Sequence, residues 1–203
     1  MRACAGLFVV GIVLSTGTAS AQALRDTPVG TRFEDPTGLR QRPMTEIERI
    51  LLGAPVRLKE EATVIKWRPD YTYETLKKGG NGLVCYDRAD QDRRYTYAVQ
   101  CTNLGNLPRV AQNRRFRAES KSAADEQARI KAAEKNGTRV KPEHGSTFIN
   151  INGDDLTVIR SHTIINLPGA TKESTGLPDR PHQSGAWLMD AGTTAAHIMI
   201  PGQ

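Results

Sequence analysis

Apolar and polar positions alternate with a period of two in several short runs. Ala62 to Trp67 and Tyr71 to Leu76 mix β-branched or aromatic residues with polar ones, and Leu83 to Tyr86 and Tyr95 to Cys101 continue the pattern. Thr147 to Asn152, Leu156 to Leu167, Ala186 to Asp190 and Ala195 to Ile200 follow later. Such runs predict half-buried strands. Their spacing predicts a meander of short antiparallel strands, about six to eight in all. Two segments read as helices instead. From Met44, a capping box at Thr45 and Glu48 precedes a stripe of Ile47, Ile50 and Leu51, and Gly53 with Pro55 ends it. Arg117 to Asn136 is built of good helix formers and ends at Gly137. Its apolar face is mostly Ala124, Ala128 and Ala132 with Ile130, so it predicts a helix lying on the surface. The fold class is α+β, an antiparallel β-sheet of short strands with one short and one longer helix.

Turn chemistry fills the gaps between these runs. Lys77 to Gly82 is rich in glycine and closes on Asn81-Gly82, the dipeptide most tolerant of positive φ, which predicts a hairpin-like turn into the strand that carries Cys85. Gly153-Asp154-Asp155 predicts a second hairpin turn. Pro168 to Gly185 carries three prolines and three glycines and predicts a long loop of the kind that carries function.

The first 21 residues change where these elements are expected to work. Arg2, the apolar Leu7 to Leu14 and the small residues Ala19-Ser20-Ala21 are arranged as a secretory signal peptide. The expected organisation is a leader over 1–21, a flexible N-terminal arm over 22–43 and a single α+β domain over 44–203. Localisation is expected to be periplasmic or secreted, with no transmembrane segment in the mature chain, since no later stretch approaches the roughly 20 apolar residues a span requires. Cys85 and Cys101 are the cysteines that remain beyond the leader, and a pair in an exported chain predicts a disulfide. The formal charge of +6 is spread along the chain. Its densest basic cluster, Arg109 to Lys121, interleaves one aromatic residue, Phe116, and reads as a solvated face rather than a nucleic-acid surface.

Three stretches together resemble a group of secreted bacterial proteins with no assigned activity: Glu46 to Trp67, Leu76-Lys-Lys-Gly-Gly-Asn-Gly-Leu-Val-Cys85, and Gly192 to Pro201. The resemblance is strongest where the Asn-Gly turn runs into a cysteine. In that group a second cysteine follows, as Cys101 does here, and a histidine-led strand ends in proline, as His162 to Pro168 does. The chain departs from it in its sparse aromatic content and in Gly80, where the group usually has threonine. The resemblance supplies no catalytic residue.

Candidate chemistry rests on few side chains. His144, His162, His182 and His197 lack paired metal-ligand spacing. A metal site would need His162, His182 and His197 to converge, with Asp179 as an alternative to His182, a set suited to zinc or copper. Ser161 beside His162 is not a catalytic pair, because successive strand residues face opposite sides. Arg180 and His182, in the long loop, are the candidate contacts to an anion or other ligand. The reading is an exported envelope protein without a cofactor that binds a ligand or partner through one sheet face and the Pro168 to Gly185 loop. The alternative is a metal-dependent hydrolase or oxidoreductase using the three late histidines. A third reading is an interaction protein that uses the charged Arg117 to Asn136 helix.

Overall fold

The computed structural model describes residues 43–91, 95–181 and 185–200. The leader, the arm up to residue 42 and His182 lie outside them. The described residues from Met44 onward form one compact unit. In chain order the elements are α1 (Glu46–Ile50), β1 (Thr63–Trp67), β2 (Tyr73–Lys77), β3 (Leu83–Asp87), β4 (Tyr97–Asn103), α2 (Leu107–Glu119) and α3 (Ala123–Lys135). They continue with β5 (Thr147–Gly153), β6 (Arg160–Asn166), α4 (Lys172–Thr175), β7 (Trp187–Met189) and β8 (His197–Ile200). The eight strands form one sheet in the order β2-β1-β3-β4-β5-β6-β8-β7. All neighbours are antiparallel except β1 and β3, so the α+β class and its mostly antiparallel sheet are as expected.

The parallel β1–β3 pair corrects the expected meander. The Asn-Gly segment does not close a hairpin between β2 and β3. It carries the chain across the start of β1, so that β2 and β3 flank β1 on opposite sides. The amide N–H groups of Gly80 and Asn81 donate to Glu61 O at 3.0 and 3.2 Å, and Asn81 Nδ2 donates to Leu58 O at 2.8 Å. Gly79 is pressed so close that a Cβ there would lie 2.1 Å from Glu61 O, while Gly82 takes a φ of 75°. The glycines serve backbone-to-backbone contact as well as turning.

Each face of the sheet is covered differently. On one face Val64, Cys85, Val99, Cys101 and Ile151 pack against Ile50, Leu51 and Ala54, from α1 and the turn after it. Thr45 caps α1 with the reciprocal Glu48 contact that the sequence calls for. Cys85 and Cys101 sit directly opposite each other on β3 and β4 and are joined by a disulfide. Gly53 lies against it, since a Cβ there would meet Val99 Cγ1 at 2.9 Å and Cys101 Sγ at 3.2 Å. On the other face Ile65, Val84, Tyr86 and Phe148 pack under Leu107 and Val110 of α2.

The single longer helix expected over Arg117 to Asn136 is two helices. Ser120 takes an extended conformation, Ser122 caps α3 by accepting from Asp125 N at 3.2 Å, and α2 begins ten residues earlier, with Pro108 in its first turn. Proline is suited to that position because its missing N–H has no helical partner there. The hairpins β5–β6 and β7–β8 form as read, although Leu156–Val158 adopts a short 3₁₀ turn ahead of β6. The Pro168 to Gly185 stretch is not wholly irregular, because α4 lies within it, with its own capping box at Thr171 and Ser174.

Candidate functional site

A row of paired polar residues crosses the centre of the α2-covered face, where apolar side chains are the norm. Tyr86, Gln100, Asn150 and His162 stand opposite one another on β3, β4, β5 and β6. Tyr86 Oη donates to Gln100 Oε1, Gln100 Nε2 donates to Asn150 Oδ1, and Arg88 Nη1 donates to the same Oδ1 at 2.6 Å. Burial drives the Tyr86 phenol to a higher pKa, which keeps it a hydrogen-bond donor. His162 has its pKa lowered first by burial, then by Arg88 and His197, so it stands neutral at pH 7.

Toward α2 this row opens into a cleft. One hollow of about 200 Å³ is lined by Arg109, Asn113, Gln100, Phe148, Ile164, Asn166, Asp190, Ala195 and His197. A neighbouring hollow of about 330 Å³ shares Gln100, Asn113, Asp190 and Ala195 with it and adds Arg88, Arg117 and Arg139. Residues from α2, β4, β5, β6, β8 and the β7–β8 connection therefore meet there.

Arg109 is the most unusual group in it. Only 6% of this residue is exposed, yet it carries a charge. Burial chiefly, and then the neighbouring Arg139, push its pKa down to about 10, with Glu134 and Asp190 opposing the shift. It is still a guanidinium at pH 7. Its Nη1 donates to Val140 O and, at 3.3 Å, to Thr194 Oγ1. Its Nε and Nη2 make no hydrogen bond to the described residues and are not sealed from the cleft. A buried cation with part of its fork unused is an expensive arrangement without an anion beside it.

The walls around Arg109 are fixed. Thr194 donates to Glu134 of α3 through both its amide and its hydroxyl, which clamps the β7–β8 connection to the helices. Arg139 donates to Gln112 Oε1 and Asn113 Oδ1, so Asn113 Nδ2 is left facing outward from that pair. At the root of α2, Asn106 donates to Thr102 Oγ1 and Ser146 Oγ at 2.8 and 2.9 Å and accepts from Glu143 N at 2.9 Å. The helix that carries Arg109 is thus anchored by buried, satisfied hydrogen bonds.

His197 Nδ1 lies 2.7 Å from Ala195 O, an acceptor, which places the proton on Nδ1. In the neutral ring Nε2 is then a lone-pair acceptor, and it is buried without a partner. His197 and His162 lie on neighbouring strands of one face, near enough that the charge of one disfavours the other's. Two of the three histidines named as metal ligands thus share a face but not a position, since His197 stands opposite Asn166, four residues along β6 from His162, and His182 lies outside the described residues. Among the described residues no three His, Cys, Asp or Glu side chains gather around a metal-sized centre. Arg180 and Asp179 are exposed, and neither is among the residues that line the cleft. His144 is exposed, and Asp155 caps the 3₁₀ turn by accepting from Thr157 N.

Arg109, Asn113 and Asp190 were not legible as site residues. Arg109 reads as part of a solvated basic run, and the signal against that reading is weak: α2 has apolar residues mainly in its first turn, so polar side chains must line much of its inner side. Comparison of the chain with protein-family models, with curated proteins and with solved structures finds no match.

Proposed function

We propose that this chain is an exported, disulfide-stabilised binding domain, working in the periplasm or outside the cell, that takes up a small anionic ligand between the sheet and α2. The observation that carries the reading is Arg109, a buried guanidinium whose Nε and Nη2 have no hydrogen-bond partner among the described residues and which lines a hollow of about 200 Å³. That edge of a guanidinium presents two parallel donors, which match the two oxygens of a carboxylate. The low dielectric around it strengthens such a pair. The proposed site keeps one sheet face and takes the β7–β8 connection, in place of the Pro168 to Gly185 loop, as its far wall. Export is supported by the leader-like first 21 residues and by the disulfide.

The test is a thermal-shift and calorimetric titration with acetate, formate, sulfate and phosphate against chloride. At least one oxyanion is expected to raise the unfolding temperature saturably. Arg109→Gln keeps a donor toward Val140 O and removes the charge, and it is expected to weaken that binding ten- to a hundredfold, about 1.5–3 kcal/mol for a charge-assisted pair. The reading fails if no oxyanion binds at millimolar concentration or if the variant binds as the parent does. Release of the protein by osmotic shock tests the compartment.

A further inference from the structure

We propose that the ligand of this cleft is a small zwitterion, a free α-amino acid with a short apolar side chain. Its carboxylate would lie on the Nε–Nη2 edge of Arg109, and its ammonium against the Asp190 carboxylate. The inference rests on the anion-binding reading and narrows it.

Two groups of opposite charge line the hollow of about 200 Å³, the buried Arg109 and the exposed Asp190. Arg109 offers two charged donors. His197 also lines the hollow, but its Nδ1 is committed to Ala195 O and its Nε2 is sealed from the cleft, so it forms wall rather than contact. Asp190 offers the negative charge. Its side chain makes no hydrogen bond or ion pair with the described residues, but its field reaches Arg109 without the two closing into a salt bridge. Asp190 is held at a φ of 53°, a left-handed conformation that costs an ordinary residue energy and fixes the direction in which the chain turns.

Positive and negative groups that face one hollow without meeting form a dipole. A molecule carrying the opposite dipole satisfies both ends at once, whereas a simple anion satisfies Arg109 and is repelled by Asp190. A dianion such as phosphate is repelled more strongly still. An α-amino acid holds its two charges two bonds apart on one carbon. Phe148 and Ile164 line the same hollow and give it an apolar wall, and its volume of about 200 Å³ accommodates a small side chain such as methyl or isopropyl.

The experiment titrates the full chain with glycine, L-alanine, D-alanine and L-valine, followed by calorimetry and by ¹H–¹⁵N NMR shifts. Acetate and methylammonium serve as probes of each end alone, and phosphate as the dianion. Alanine of one hand is expected to bind at least tenfold more tightly than acetate. Asp190→Asn tolerates the left-handed backbone, and it is expected to reduce alanine to the affinity of acetate while leaving acetate unchanged or tighter. If acetate or phosphate binds as tightly as alanine, or if Asp190→Asn leaves alanine binding intact, the zwitterion assignment is overturned while the anion site stands. If no probe binds, both readings fall together.

Discussion

His162 illustrates how a single side chain couples this face to pH. Burial first, and then the charges of Arg88 and His197, hold its pKa below the usual 6.5. As pH falls through about 6.5 the ring in the unfolded chain takes up a proton, and the folded ring does so only at lower pH. The unfolded state then binds more protons, so the stability present above this window declines across it and levels off beneath the folded value. Thermal unfolding followed from about pH 7.5 to about pH 5 is expected to show that decline, and His162→Gln is expected to flatten it. Parallel curves for the two proteins would remove His162 as its source. Arg109 is a different case at the same scale. Its sequence neighbours, Arg114, Arg115 and Arg117, made it look like one more solvated cation, and only the tertiary position of α2 distinguishes it.

Among the elements, the strands were legible because period-two alternation survives in a sheet with differently covered faces, and α1 because its capping box is local chemistry. The order of the strands was not. Asn81-Gly82 carries the signature of a hairpin turn, but whether the strands it joins pair with each other depends on β1 inserting between them, which no local pattern encodes. Gly79 tests this crossover. Gly79→Ala is expected to destabilise by more than about 2 kcal/mol, because a Cβ would collide with Glu61 O at 2.1 Å, a backbone atom that cannot rotate away. Gly82→Ala, in open space at a φ of 75°, is expected to lose only about 1–2 kcal/mol. Urea unfolding of the two variants decides whether close approach or turn conformation matters more. The disulfide is the other device of the crossover region. Its partners are separated by 16 residues, and reduction, or paired Cys85→Ala and Cys101→Ala substitution, is expected to lower stability by about 3 kcal/mol in the same assay.

At the scale of the whole molecule, both core clusters are assembled, among the described residues, from the stretch between Ile47 and Ile164. A chain trimmed to begin at Pro43 is therefore expected to keep the parent's cooperative unfolding midpoint within a degree or two, as calorimetry would show. A drop of many degrees would mean that the first 42 residues take part in the fold. The cleft was the least legible feature, since Arg109, Asp190 and His197 come from α2, the β7–β8 connection and β8, and only the finished sheet brings them to one hollow. No helix among the described residues is long and apolar enough to cross a membrane.

The outer rims of the sheet carry a last consequence. β2 and β7 stand at the two ends of the sheet formed by the described residues, and an open strand is a template on which further copies add like rungs, but the outward N–H of Leu188 in β7 is already taken by Pro178 O. β7 is three residues long, and β2 bears Glu74 and Lys77, so a second molecule finds either a short rail or a charged one. Replacing Glu74 with an apolar residue is expected to remove part of that guard, which turbidity of concentrated samples of the two proteins would show.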